Sequence, residues 1–356
     1  TGDINNDGMC DIYISNDFVE NDYFYINSGP GTFQEMIKNV TNHVPYYAMG
    51  TDFGDIDNDG NEEIYSVEMR PDDYKRSKTT MPLMQPAYFR SLKSDGFHDQ
   101  YMHNVLQYNQ GNGFFSDIAQ MAGVDKTDWS WAPLISDFDN DGWKDIYVTN
   151  GYLRDVYDRD QNIQIDKFLK SRNNILDSVQ QALGKLPSVK LVNYIFQNNK
   201  DLSFKKMMKN WGIEEPSFSN GASVADLDND GDLDLVINNI NDPAFIYKNN
   251  LDQQSNYLRL KLNGPLGNTQ GIGAKVTLYS GDQKQYVELR TSRGYLSSSE
   301  PIVHFGLGTN TKIDSVVILW NTLKETKIIN PKANQLLTVD FSKSADRKVQ
   351  EKKLIP

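Results

Sequence analysis

Short apolar runs follow acidic, glycine-containing stretches along the first 250 residues. Ile12-Tyr13-Ile14 and Ile146-Tyr147-Val148 are the clearest. Runs this short, bounded by Asp, Asn and Gly, predict β-strands entered from tight loops. The preceding stretch has the form Asp-x-Asp/Asn-x-Asp-Gly and occurs four times, at 3–8, 55–60, 137–142 and 226–231. A further carboxylate stands eight residues after each first Asp, at Asp11, Glu63, Asp145 and Asp234. Between the loops an Asn closes an aromatic or aliphatic run and a Phe follows six residues later, as Asn27/Phe33, Asn109/Phe115 and Asn198/Phe204, with Gly and Asn between them marking a hairpin turn.

From that Phe to the next loop's first Asp the distance is 22 residues in all three cases, which identifies one repeated unit. The segment from first Asp to hairpin Asn is 24 residues in the first unit, 54 in the second and 61 in the third. Two units therefore carry insertions, at about 70–103 and 153–190. The bare unit of 52 residues suffices for four short strands, the size of a propeller blade. Ile165 to Leu176, with Val179 and Leu183, has helical spacing, and Gly184 with Pro187 would end that helix.

The pattern changes near residue 251. Leu258, Leu260 and Leu262 alternate with Arg259 and Lys261, and apolar runs recur at 316–320 and 336–339, which predicts a separate all-β, sandwich-like module. The expected division is blades over 1–254, the β module over 255–341, and a charged tail or linker over 342–356. The fold class expected is mainly β: a partial β-propeller with partly helical insertions, followed by this module.

Charge narrows the chemistry. Of 356 residues, 48 are acidic and 36 basic, a net charge of -12, which argues against a nucleic-acid backbone as partner and favours cations. No apolar run reaches the 18 residues of a membrane-spanning helix. The one cysteine, Cys10, forms no intrachain disulfide. The chain begins inside a motif and is expected to be a piece of a longer protein.

Carboxylates at every second position of a loop turn toward one centre, and glycine at the sixth position permits the turn, as in oxygen-rich calcium loops. The expected ligands are Asp3, Asn5, Asp7 and Asp11; Asp55, Asp57, Asp59 and Glu63; Asp137, Asp139, Asp141 and Asp145; and Asp226, Asp228, Asp230 and Asp234. Main-chain carbonyls of Met9, Asn61, Trp143 and Asp232 complete the sets, for up to four calcium ions. Asn140, between ligands, is expected to face outward and to be replaceable. An EF-hand needs a bidentate Glu at position 12, where this chain has Ile14, Ser66, Val148 and Ile237. Zinc does not suit these loops, because His43, His98, His103 and His304 all fall outside them. The bland alternative is Asp/Asn/Gly turns that bind nothing.

These loops and hairpins resemble the FG-GAP or VCBS repeats of integrin-like β-propellers, most closely at 137–148, Asp-Phe-Asp-Asn-Asp-Gly-Trp-Lys-Asp-Ile-Tyr-Val. The later segments Gly271-Ile272-Gly273-Ala274, Arg293-Gly294-Tyr295-Leu296-Ser297 and His304-Phe305-Gly306-Leu307-Gly308 resemble the ASPIC/UnbV domain. The resemblance implies an extracellular or cell-surface protein whose calcium ions pin blade loops, with no catalytic residues carried over. Such propellers close with about seven blades, more than this chain supplies, and Glu63 stands where the pattern has Asp.

The function expected is a non-enzymatic binding, adhesion or scaffold module recognising an extracellular protein or glycan. The alternative is a propeller-based carbohydrate-active lyase or hydrolase, although no nucleophile elbow, histidine metal motif or phosphate loop is present. His304, flanked by Val303 and Phe305, reads as structural. Trp129 and Trp131 read as blade core more than as a sugar platform. The two insertions are expected to emerge side by side on one face as a joint cap.

Overall fold

Each of the last three acidic loops closes a hairpin, because the strand ahead of it pairs with the strand behind it. In the computed structural model, which describes residues 1–80, 86–170, 184, 186–251, 255–322 and 324–347, Gly50–Gly54, Glu63–Val67, Val105–Asn109 and Phe115–Asp117 form a four-stranded antiparallel sheet in that order. Ser130–Ser136, Asp145–Asn150, Tyr194–Asn198 and Phe204–Lys206 repeat it. A three-stranded sheet stands at either end of the series. Ile12–Ile14, Tyr23–Asn27 and Phe33–Glu35 form the first, where a Gly2–Asp11 bridge takes the place of the leading strand. Ser219–Ala225, Asp234–Asn239 and Phe245–Tyr247 form the fourth. The loop-to-loop repeat of the sequence is thus offset by one strand from the folded sheet.

Strand alternation explains how the sheets stack. Neighbouring side chains point to opposite faces. Ile64 packs toward the first sheet with Tyr13, Phe24 and Phe53, while Tyr65 and Val67 pack toward the third with Ile135, Ile146 and Phe196. Tyr147 then meets Leu235 and Ile237 of the fourth. With both faces covered, Glu63–Val67 and Asp145–Asn150 are buried along their whole length. Each large apolar side chain buried this way contributes about 1.5–3 kcal/mol, so these three inter-sheet cores hold the series as an open, propeller-like arc.

The C-terminal module is a sandwich. Asn256–Asn263 lies between antiparallel Ile302–Gly308 and parallel Leu336–Asp340. The facing sheet runs Gln283–Glu288, Lys275–Ser280, Ser315–Leu319, Lys324–Ile329 and Ala345–Asp346, so its ladder continues to residue 346. Leu258, Leu260 and Leu262 meet Val276, Leu278, Val316 and Ile318 in one core.

A finger from this module, Ser292–Arg293 paired with Ser297–Ser298, lies along the leading strands of the arc. Arg293 donates to Asp52 at 2.5 Å and to the Ile135 carbonyl at 2.6 Å, and the Ser297 hydroxyl accepts the Ala222 N–H at 3.1 Å. Gly294 at the tip has φ 60°, and a Cβ there would stand 2.9 Å from the Pro133 carbonyl oxygen, so the close approach requires glycine.

The insertions leave from the second strands, at the end opposite the acidic loops. They contain the helices Tyr74–Thr79, Pro86–Ser94 and Arg159–Lys170. The last begins six residues before the expected Ile165, and the expected continuation over 171–183 lies outside the described residues. Arg76 joins the two insertions, donating to Asp128 at 2.8 Å and to Asp155 at 3.0 Å. Tyr46, Tyr47, Met69 and Leu92 form a small core beneath them, packed by Trp129 and Tyr157. Trp129 and Trp131 therefore lie outside the inter-sheet cores, contrary to expectation. They stand at the insertion end of Ser130–Ser136, where Trp129 stacks on Tyr152 at 4.0 Å.

Candidate metal centre

All four loops are wound by the same two residues. Asn at position 4 and Gly at position 6 both take positive φ: 59° and 95° at Asn6 and Gly8, 62° and 93° at Asn58 and Gly60, 57° and 88° at Asn140 and Gly142, 63° and 96° at Asn229 and Gly231. Glycine reaches this region without a Cβ penalty and Asn tolerates it better than most residues. The curl brings each glycine N–H onto the first Asp of its loop, at 2.6 Å on Asp3, 3.0 Å on Asp55, 2.9 Å on Asp137 and 3.0 Å on Asp226.

The carboxylates then converge to different degrees. Asp55, Asp57 and Glu63 each place an oxygen within 4.8 Å of the others, as do Asp137, Asp139 and Asp145, and Asp226, Asp228 and Asp230. Asp59, Asp141 and Asp234 stand outside these trios, and Asp3, Asp7 and Asp11 form none. In that first loop Asn5 is turned to Asp7, its Nδ2 donating to Oδ2 at 2.9 Å. Burial pushes Asp55 up to about 7, with the nearby charges of Asp57 and Asp59 adding to it, and burial does the same to Asp137. Glu63 and Asp145 are held well above the usual carboxylate range, again chiefly by burial.

The position-9 carboxylate also acts as a staple. One oxygen accepts the position-2 N–H of its own loop: Ile4 to Asp11 at 3.1 Å, Ile56 to Glu63 at 2.9 Å, Phe138 to Asp145 at 2.9 Å and Leu227 to Asp234 at 2.8 Å. The other accepts the N–H of the hairpin Asn, from Asn27 at 2.9 Å, Asn109 at 3.4 Å, Asn198 at 2.9 Å and Asn249 at 2.8 Å. Three of those Asn side chains reach back to the preceding loop, donating to the carbonyls of Ile4, Ile56 and Phe138. In the forward direction, Asn6, Asn58 and Asn140 donate to the carbonyls of Gly60, Gly142 and Gly231. The loops are thereby laced into a chain. Asn140 faces away from its loop's centre but is fully buried, so it is not an outward, replaceable residue: its amide also bonds Asp232 at 2.8 Å and His304 Nε2 at 2.6 Å.

Apart from Lys144, which lies within loop 137–145, the basic residues near the loops are brought to them by the fold. Lys275 pairs with Asp3, and Arg259 with Asp226 at 2.5 Å, both from the C-terminal module. Lys248 pairs with Asp228 and stands 3.4 Å from Asp230, lowering the Asp228 pKa through its hydrogen bond. Lys200 meets Asp141 at 2.9 Å, outside the trio of that loop. Lys144, buried beside Asp55 and Asp137, offers each a compensating charge, but its Nζ makes no hydrogen bond. In the sequence the repeated Asn residues, at position 4 and at the hairpins, are the signal of the lacing, and apart from Lys144 the basic partners lie far from their acids, up to 272 residues away.

The donors are oxygens alone, which fits a hard divalent cation. Asp55 Oδ1 is buried with no hydrogen-bond partner, and a cation would satisfy it.

Residues 3–66 match the FG-GAP-like repeat and residues 264–346 match the ASPIC and UnbV family. Fold and loops agree with these two matches, strand-leading acidic loops at the first and a β-sandwich at the second. The chain is homologous to cartilage acidic protein 1. It is 27% identical to the mouse protein over 287 residues (68% of this chain, 42% of the relative), 27% to the human protein over 286 residues (68% and 41%), and 28% to the Xenopus tropicalis protein over 273 residues (65% and 40%). The matches thus span about two fifths of the curated relatives' length. Among the described residues no helix is long and apolar enough to cross a membrane.

Proposed function

We propose that this chain is a calcium-stabilised, non-enzymatic binding module working outside the cell or at its surface. The observation that carries the reading is the unpartnered, buried Asp55 Oδ1 beside the converging oxygens of Asp57 and Glu63. Gathering buried carboxylates is costly unless a cation offsets their charge. Calcium accepts six to eight oxygens in irregular arrangements, whereas magnesium demands a near-octahedral shell and holds its water. Asp55, Asp57 and Glu63 would hold one ion and Asp137, Asp139 and Asp145 another, and loops 3–11 and 226–234 are the weaker sites. The ions would supply charge and rigidity, fixing the sheets that carry the opposite face.

Recognition falls on that opposite face, where the start of the 153–190 insertion lies beside the finger. Trp131, Tyr152, Leu153, Tyr295 and Leu296 line a cavity of about 690 Å³ there. Loops on a rigid scaffold are usual sites of recognition, and flat aromatic rings suit an extracellular protein or a glycan. The test is an array of glycans and extracellular proteins probed with calcium and after chelation. Calcium-dependent retention without turnover is expected. Release of a cleaved glycan would overturn the non-enzymatic reading, and equal retention in both conditions would overturn the role of calcium.

A further inference from the structure

Away from the acidic loops, His43, His103 and Asp117 come together from three separate stretches. His43 precedes, and His103 closely follows, the short parallel pair Val44–Pro45 and Gln100–Tyr101, while Asp117 ends the outer strand of the second sheet. Both imidazole Nε2 atoms stand 3.0 Å from Asp117 Oδ2, and the rings are 5.5 Å apart. The other oxygen of Asp117 accepts the Leu106 and Ala119 N–H groups at 3.0 and 2.9 Å, which aims Oδ2 at the rings. Gln107 Nε2 holds the His43 carbonyl at 2.8 Å. His103 and Asp117 are 7% and 6% exposed while His43 is 21% exposed, so the group is walled on the protein side and open at His43.

We propose that His43 Nε2, His103 Nε2 and Asp117 Oδ2 form a three-ligand site for a zinc-like divalent transition ion, separate from the acidic loops and completed by solvent. Two imidazoles and one carboxylate suit zinc and its neighbours, whereas calcium takes oxygens. Ligand atoms about 2.1 Å from a tetrahedral zinc stand about 3.4 Å apart, so the two 3.0 Å pairs need open by only about 0.4 Å. Each ring would then carry its proton on Nδ1. The ion would tie the exit of the 70–103 insertion to the second sheet. The competing arrangement is direct His–Asp hydrogen bonding with no metal role.

The whole chain, held in saturating calcium so that the acidic loops are occupied, is titrated with cobalt(II) and then with zinc. One equivalent of cobalt should develop the visible absorption of a four-coordinate ion, and zinc should displace it. His43→Gln, at the open edge, should abolish that absorption while leaving metal-free melting unchanged, and Asp117→Asn should abolish it too. No visible band with the wild-type chain, or an undiminished band in His43→Gln, overturns the proposal. The His43 variant decides the matter if Asp117→Asn does not fold, since Asp117 also holds two main-chain N–H groups.

Discussion

In loops 55–63 and 137–145 the carboxylates of positions 1, 3 and 9 gather under neighbouring sheets; positions 1 and 9 are buried, and burial holds them above the usual carboxylate range, while position 3 is half-buried. In loops 3–11 and 226–234, at the ends of the arc, side-chain cations bond the carboxylates of positions 1 and 3 directly: Lys275 on Asp3, Arg259 on Asp226, Lys248 on Asp228, whereas in the middle loops Lys144 stands beside Asp55 and Asp137 without a hydrogen bond and Lys200 meets Asp141 outside the trio. One motif thus has two ways of offsetting its charge. Where sheets cover both sides, no ion pair is made to the trio carboxylates among the described residues, and the proposed ion would supply the counter-charge. Where the C-terminal module or a hairpin lysine covers the loop, a protein cation already sits on it. On the proposed reading, what packs over a loop, rather than its spelling, would set its metal affinity.

The largest effect should come from breaking the Arg259–Asp226 pair, whose side chains are 3% and 1% exposed. Removing Asp226 leaves the buried Arg259 with Glu300 as its remaining acidic partner and costs on the order of 3 kcal/mol. Asp226→Ala should lower the melting temperature by the same amount with calcium and after chelation, and Asp226→Ala combined with Arg259→Met should recover part of the loss. A loss seen only in calcium would mean that this end loop behaves as the middle ones do.

Next in size, taken site by site, is the ion itself. Calcium at 100 times its dissociation constant adds about 2.7 kcal/mol per site, so restoring millimolar calcium after chelation should raise the melting temperature well beyond what magnesium does. Position 3 gives the cleaner variant, because position 1 also receives the glycine N–H. Asp57→Ala and Asp139→Ala should each remove one increment of the calcium response and change metal-free melting little. Differential scanning with and without chelator reads this directly, and an unaltered response in both variants would remove these trios from the ligand set.

The repeat, the strands that follow each loop and the sandwich-like module were all legible in the sequence, because each rests on local periodicity and on Asp, Asn and Gly chemistry. The paired carboxylates were legible for the same reason. Partner choice was not. Lys275 and Asp3 are 272 residues apart, and nothing in either neighbourhood names the other. His43, His103 and Asp117 meet only because the 70–103 insertion returns beside Val44–Pro45 in a parallel pair. Trp129 and Trp131 were misplaced because apolar content marks burial without saying which layer does the burying. Asn140 misled because a side chain turned from the loop's centre was equated with one turned to water, whereas the next loop stands there.

That last point gives a smaller, separable effect. Asn140 links a middle loop to an end loop and its Oδ1 also accepts from His304 Nε2, whose pKa burial holds well below its ordinary value. Asn140→Ala would leave the Gly231 carbonyl, Asp232 and His304 short of partners, at a cost of about 1–3 kcal/mol for buried polar groups. The melting temperature should fall while the calcium increment of loop 137–145 persists; isothermal titration of the variant checks the second half. Loss of calcium binding along with stability would mean that the lacing, and not only the carboxylates, shapes the site.

The smallest change in stability, and the sharpest test of the comparison, is Lys248→Ala. Lys248 is 54% exposed and holds Asp228 and Asp230 from the surface, where ion pairs contribute little, so melting without calcium should barely move. Yet the lysine occupies the oxygens that the loop would present to an ion. Removing it frees two members of the Asp226, Asp228, Asp230 trio, while Arg259 still holds the third. Calcium titration of the variant should therefore show tighter binding in loop 226–234 and no change in the two middle loops. An end loop that gained nothing would show that Arg259 alone silences it. A weaker end loop would mean that Lys248 orders the carboxylates for the ion, and competition between protein cation and metal would no longer explain why the ends of the arc differ from its middle.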